Sequence, residues 1–235
     1  MPNNNIKTAE KTWDIIAKSF DITRRKPWKQ CIEFINELSE SDIVADLGCG
    51  NGRHLILCAK RCKNVTGLDI SQNLLRITQK KIKEKSLGNV VLVHGNLVEL
   101  PLKDNSLDAI LYIASLHNIK GRENRINSLK EINRILKNDG TALISVWSRW
   151  QDRYRKYFLK QFFIKKDQNE FGDIDIYWRQ HNLNIPRFYH LYSKREFVND
   201  LNQAGLKLEK NWGTKLHSKI SADNYFAIVK KGNYY

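Results

Sequence analysis

Long apolar runs are missing from this 235-residue chain. None reaches the ~18 consecutive apolar residues of a membrane helix, so no membrane association is expected. The opening MPNNNIKTAEK has no apolar core of the kind that marks a secretory signal. Cysteine is scarce. Cys31, Cys49, Cys58 and Cys62 form no CxxC pair and no dense framework, so they read as reduced thiols of a cytoplasmic protein. Cys58 and Cys62, one helical turn apart, are expected to be half-buried, and no metal site is expected. Acidic residues are outnumbered: 25 Asp+Glu face 40 Lys+Arg, a formal charge of +15. Such an excess favours contact with a polyanion, nucleic acid before membrane. The abundance of Asn and Ile beside Lys fits biased nucleotide composition equally well.

What is present suffices for a sizeable core, since 41% of residues are apolar. No repeat or low-complexity linker divides the chain, so a single domain over 1–235 is expected. Helical spacing of apolar residues runs through 6–20 and 28–38, giving N-terminal helices within 6–38. Strands and helices then alternate: strands at 43–47, 65–70, 90–94, 107–114 and 141–147, and helices at 52–62, 71–85 and 122–136. Ser71 is a good N-cap for the second of these helices. Such alternation, with nearly continuous apolar strands, specifies an α/β fold: a doubly wound, mostly parallel sheet covered on both faces. A basic, aromatic insertion at about 148–186 follows. The chain then gives a strand at 187–192, a helix at 193–204, and strand-like runs at 206–212 and 225–229 that form a closing antiparallel hairpin.

In such a sheet the ligand lies beyond the carboxyl ends of the strands, where the strand order reverses. The first strand-to-helix turn here reads DLGCGNG, with glycines at Gly48, Gly50 and Gly52 and an acid at Asp46. A dinucleotide site reads GxGxxG and aims a helix N-terminus at a pyrophosphate. This turn is GxGxG, and Asp46 is the wrong charge beside a phosphate. S-adenosylmethionine carries an ammonium, a sulfonium and no phosphate, and suits the turn better. Asp69 ends the second strand 21 residues after Gly48, where a carboxylate meets ribose hydroxyls, with Ile70 beside it. At the third strand end, the Asn96 amide can pair with an adenine edge and Leu97 can flank the ring. Asn96 as a plain turn residue remains the alternative.

DLGCGNG, GLDIS, HGNLVELPL and LISVW, in this order over about 43–147, resemble the class I S-adenosylmethionine-dependent methyltransferases. That resemblance implies a Rossmann-like, seven-stranded sheet and places Ala114, at the fourth strand end, near the cofactor. A narrower resemblance lies outside these motifs. IAKSFDITRRKPW (16–28), SLHNIKGRENRINSLKEINRIL (115–136), VWSRWQ (146–151), RFYHLYS (187–193) and NYFAIVKK (224–231) are similar to the tRNA methyltransferases that esterify 5-carboxymethyluridine at the wobble position. The same domain occurs in an AlkB-like fusion protein of animals. The resemblance implies the tRNA anticodon loop as substrate and a small zinc-binding activator protein docked beside the sheet. A second histidine common after the first in that family is Asn118 here.

The acceptor chemistry can be weighed separately. A carboxylate with a pKa near ~3.5–4 is already ionised at neutral pH, so methyl transfer to it needs positioning and a clamp more than a base. Arginine binds a carboxylate bidentately, and Arg187 in RFYH is the candidate clamp. His117, after the fourth strand, is the second candidate, to hydrogen-bond the acceptor uracil or orient its carboxylate. Lys26, with Trp28 and Arg24, follows the first helix and can meet the cofactor carboxylate or a phosphate. For RNA, Lys/Arg supply phosphate contacts and aromatics stack on bases. Segment 149–166 holds seven basic residues and one acidic, interleaved with aromatics. Arg149, Trp150, Arg153, Arg155 and Lys156, with Tyr154 and Tyr157, are its candidates, together with Tyr189 and His190. An amphipathic helix that packs its aromatics inward and solvates its charges accounts for the segment equally well. Two other functions stay open: methyl transfer to a small-molecule acid, and a non-catalytic RNA-binding module on the same scaffold.

Overall fold

Apolar strands too short to bury both faces alone are stacked here into one sheet with helices above and below. The computed structural model describes residues 3–162 and 170–232. In chain order the elements are α1 (Asn3–Thr23), α2 (Lys29–Asn36), β1 (Ile43–Leu47), α3 (Leu55–Arg61), β2 (Asn64–Asp69), α4 (Gln72–Glu84), β3 (Val90–His94) and β4 (Leu107–Ile113). They continue as α5 (Arg122–Ile135), β5 (Leu136–Trp147), α6 (Asp152–Phe162), β6 (Asp173–Trp178), β7 (Ile185–His190), α7 (Lys194–Gln203), β8 (Lys207–Thr214) and β9 (Asn224–Lys230). The main sheet has seven strands in the order β3-β2-β1-β4-β5-β9-β8. β1 to β5 run parallel, β9 is antiparallel to β5, and β8 closes the edge as a hairpin with β9. This is the expected doubly wound sheet with its closing hairpin. The order reverses beside β1 and β4, which opens a crevice above their carboxyl ends.

One core lies on each face. Leu68, Ile110, Tyr112, Leu129, Ile132 and Phe197 meet on one side, and Cys31, Phe34, Val44, Leu55, Leu111 and Phe226 on the other. Ser71 caps α4 as expected, accepting from the Leu74 N–H, and Ser193 with Glu196 forms a capping box at α7. No helix among the described residues is long and apolar enough to cross a membrane.

Several expectations need correction. The helix after the glycine turn begins at Leu55 rather than at residue 52, because Gly52 sits at φ +76° and ends the turn, not the helix. β5 begins at Leu136, pairing with Leu107 before an irregularity in register, where a turn around Gly140 had been expected. The strand at 187–192 begins at Ile185 and lies outside the main sheet, paired antiparallel with β6, a strand the apolar patterning had not marked. Cys58 and Cys62 are buried rather than half-buried, as are the other two thiols. Within the basic segment, α6 places Tyr154 and Phe158 in a third apolar cluster with Ile176, Tyr189 and Leu191. Residues 163–166 of that segment lie outside the described residues.

Candidate active site

The glycine turn follows β1 because the chain must reverse within van der Waals reach of two neighbours. A Cβ on Gly48 would stand 2.1 Å from Ser115 Oγ, and one on Gly52 2.7 Å from Thr78 Cγ2; both glycines have positive φ. Asp69 fixes the turn from the end of β2. Its Oδ2 accepts from the Gly50 N–H at 2.8 Å and its Oδ1 from the Ser71 N–H at 2.9 Å. Burial raises the Asp69 pKa above its ordinary value, opposed by these amides. Asp46 is buried beneath the turn with Oδ2 unpartnered; burial pushes its pKa up to about 7, against the pull of Arg53.

Above the turn lies a cleft of about 2030 Å³. It brings together Lys26, Trp28, Gly48, Gly50, Asp69, Ile70, Asn96, Leu97 and Ala114 with the acceptor candidates His117, Arg187 and Tyr189, and with Arg153 at its rim. Asp46 and Gly52 lie outside its wall. Gly52 packs against α4, and Asp46 sits under the loop. Asn96 is partly a turn residue, its Oδ1 accepting from the Val98 N–H at 3.2 Å.

Arg187 is 7% exposed and has no carboxylate partner among the described residues. Its guanidinium carbon lies 4.9, 5.0 and 5.7 Å from the ring centres of Trp178, Tyr189 and Trp13. Nη1 donates to the Tyr189 hydroxyl at 2.5 Å, and Nε is buried without a partner. Burial lowers its pKa, yet a guanidinium stays charged. A buried cation boxed by aromatic faces, with no carboxylate partner among the described residues, has the chemistry to take an anion. His117 lies next to it. Its ring stacks on Tyr189 at 5.2 Å, and Nδ1 accepts from the Trp147 N–H at 3.1 Å. Burial, then Arg187, then His190 hold its pKa down to about 3. The ring is therefore neutral at physiological pH with its proton on Nε2: a donor, not a base.

The RNA candidates divide. Arg153 and Lys156 are exposed on α6, while Arg155 is half-buried and paired with Asp152 at 3.7 Å. Trp150 is half-buried and packs against the third cluster. Arg149 and His190 are corrections. Arg149 is 6% exposed, ion-paired to Glu196, and donates to the Leu191 carbonyl at 3.0 Å. His190 is fully buried, with Nδ1 against Asp173 at 2.7 Å and Nε2 against Glu196 at 2.9 Å. Neither has a face to offer RNA. Tyr189 is likewise 2% exposed, and its ring belongs to the cleft interior. Trp13 and Trp178, two walls of the arginine box, were not foreseen. The alternating DIDIYW of β6 carried the period-two signal that marks Trp178 as inward-facing.

Residues 45–144 match the family model described as a methyltransferase domain. The chain is 31% identical over 167 residues to the tRNA (carboxymethyluridine(34)-5-O)-methyltransferase ALKBH8 of Mus musculus, covering 70% of this chain and 24% of that protein. It thus spans about a quarter of the length of the animal relatives it matches. It is 28% identical to the tRNA (carboxymethyluridine(34)-5-O)-methyltransferase of Schizosaccharomyces pombe, covering 93% of this chain and 94% of that one. Among solved structures, a SAM-dependent methyltransferase from Methanosarcina mazei superposes with a TM-score of 0.72 at 23% identity, covering 88% and 98% of the two chains. A complex between the Haloferax volcanii Trm112 methyltransferase activator and a putative methyltransferase gives 0.67 at 16% identity, covering 98% and 99%. These likenesses establish the fold.

Proposed function

We propose that this chain, which carries a methyltransferase domain on the class I methyltransferase fold, transfers a methyl group from S-adenosylmethionine to the carboxylate of 5-carboxymethyluridine at the wobble position of tRNA. The observation that carries the reading is the unpaired, aromatic-boxed Arg187 in the same cleft as the glycine turn. Two relatives matched across the fold bear the name of that activity.

The cleft suits the cofactor. The glycine loop leaves room for a close ligand, and Asp69, whose oxygens each hold one amide, keeps lone pairs for ribose hydroxyls. Asn96 and Leu97 would flank the adenine, and Lys26 or Arg24 would meet the carboxylate of its amino-acid end. The cofactor supplies an electrophilic methyl on sulfonium. With that methyl passing to a carboxylate oxygen and the electron pair of its former bond left on sulfur, the residues of this chain would have no proton to remove. Arg187 clamps the carboxylate and holds one oxygen in line, and His117 Nε2–H fixes the base.

Arg153 at the cleft rim and Lys156 farther along α6 meet the backbone of the anticodon loop. The free edge of β3, where Val91 is 62% exposed, is the dock for a small zinc-binding activator beside the sheet. In this reading 1–235 act as one unit in the cytoplasm. The test is tritiated methyl transfer to bulk tRNA lacking the modification, followed by nucleoside analysis. Label in the methyl ester of 5-carboxymethyluridine is expected. Transfer to a small acid and not to tRNA overturns the reading.

A further inference from the structure

The loop between β8 and β9, residues 215–223, forms one lip of the cleft, which Leu216, His217, Ser218 and Asp223 line. It has no regular secondary structure, yet two carboxylates hold its backbone. Asp223 Oδ2 accepts from the Leu216, His217 and Ser218 N–H groups at 2.6, 2.7 and 2.9 Å. Asp152, which opens α6, accepts from the Lys219 and Ile220 N–H groups on Oδ2 at 2.8 and 3.2 Å, and from the Ser221 N–H on Oδ1 at 3.4 Å. Its own N–H donates to Ser218 Oγ at 2.9 Å. Six consecutive amides are thus taken up by two acids. The loop amides, that of Lys219 first, hold the Asp152 carboxyl below its ordinary pKa.

This frame displays side chains of one character. KLHSKIS (215–221) contains no acid, and the acids that anchor it turn their oxygens to its amides. Lys215, Leu216, His217, Lys219 and Ile220 are all exposed, Leu216 at 49%. Lys215 Nζ donates to the Lys219 carbonyl at 3.1 Å, and neither lysine pairs with an acid among the described residues. Two cations, a leucine and an imidazole held in water complement single-stranded RNA. Its phosphates take the lysines, and the face of an unstacked base takes the leucine and the imidazole. A protein partner calls for a contiguous apolar patch; here each exposed aliphatic side chain directly follows a lysine. Because the frame is already ordered, little entropy remains to be lost on contact. Bolted to α6 through Asp152, the loop also continues the basic rim on which Arg153 stands.

We propose that loop 215–221 is a preformed RNA contact at the mouth of the cleft. Lys215 and Lys219 meet phosphates of the anticodon loop, and Leu216 with His217 supports a base next to the one drawn into the cleft. The proposal rests on the tRNA reading above.

The test measures binding of, and methyl transfer to, an anticodon stem–loop carrying 5-carboxymethyluridine, with the whole protein, from 50 to 300 mM KCl. Lys215→Gln/Lys219→Gln should lower the slope of log K against log salt by about 1.4–1.8, at ~0.7–0.9 per phosphate contact. Asp152→Ala removes the frame but no cation. On charge alone the loss of an acid would tighten RNA binding; a loosened loop should instead weaken it by about three- to tenfold. Both variants should keep the parent's affinity for S-adenosylhomocysteine, which reports an intact cleft. An unchanged slope in the lysine variant, or tighter binding by Asp152→Ala, overturns the proposal, while transfer to the stem–loop leaves the tRNA reading standing. A parent dimer in sedimentation that the lysine variant abolishes would give the loop to a second copy of the chain and overturn it too. Absence of transfer to the stem–loop by the parent overturns the reading and the proposal together.

Discussion

Charge and hydrogen bonding are split between two neighbouring side chains of the cleft, Arg187 and His117. Arg187 holds its charge under three aromatic rings, and His117 is kept neutral beside it by burial and by that same charge. Arg187→Lys keeps the charge but loses the planar fork and the stacking, so kcat/KM for methyl transfer should fall by roughly 10–100-fold. Affinity for S-adenosylhomocysteine, measured by calorimetry, should hold. A histidine with a pKa of about 3 does not titrate near neutrality. A carboxylate acceptor, with a pKa near ~3.5–4, would not either. Single-turnover rates should therefore stay flat between about pH 6 and 8. Asp46, at about 7, does titrate in that window, so the rates must be taken at saturating cofactor, where an effect on affinity drops out. His117→Asn, which retains a donor, should be milder than His117→Ala. A rate that rises through pH 6.5 in the parent and is flat in His117→Asn would make His117 a base and remove the carboxylate acceptor.

Among elements, the β6–β7 pair is attached by charge as much as by packing. His190 on β7 lies between Asp173 of β6 and Glu196 of α7, and Glu196 also pairs with Arg149 ahead of α6. Burial lowers the His190 pKa, but the two carboxylates outweigh it and raise it above the ordinary 6.5. The folded state therefore binds this proton more tightly than the unfolded chain does. The stabilisation is complete below about pH 6.5, the unfolded value, and is lost as pH rises through the raised folded value. His190→Gln should cost about 3 kcal/mol at pH 6, as for a broken buried pair, and less at pH 9. Denaturant melts of parent and variant at the two pH values check this; a constant difference would mean that the imidazole is uncharged in the fold. The network also explains what sequence could and could not reveal. Strands β1 to β5 and the glycine turn were legible, because period and turn chemistry are local. Arg149 read as an RNA contact because its acid, Glu196, lies 47 residues on, and His190 because only the fold sets it between Asp173, 17 residues back, and Glu196 at the start of α7. The arginine box was half legible, since RFYH stood out while Trp13 and Trp178 come from elements joined only by the fold.

At the scale of the whole molecule, a charge of +15 says little until the basic residues are sorted by what they touch. Some are structural: Arg125 is fully buried against Glu170, and Arg149 is tied to Glu196. Others face water at the mouth of the cleft. Arg153 is exposed on the cleft rim, and Lys156 is exposed farther along α6. If tRNA lies across this mouth, these residues neutralise phosphates and release counterions, and affinity must fall with salt in proportion to their number. The double variant Arg153→Glu/Lys156→Glu should lower the slope of log K against log salt by about 1.4–1.8, at ~0.7–0.9 per phosphate contact. Cofactor affinity should hold, because neither residue approaches the glycine turn in the chain or pairs with its loop. Arg149→Glu serves as the contrast. It sets a carboxylate against Glu196 inside the fold, so it should lower the melting temperature, whereas reversal at the exposed pair should not. Filter binding of an anticodon stem–loop from 50 to 300 mM KCl, beside thermal melts of each variant, separates the two classes. An unchanged slope in a stable double variant would move the RNA path off α6 and leave the excess charge there as solvation.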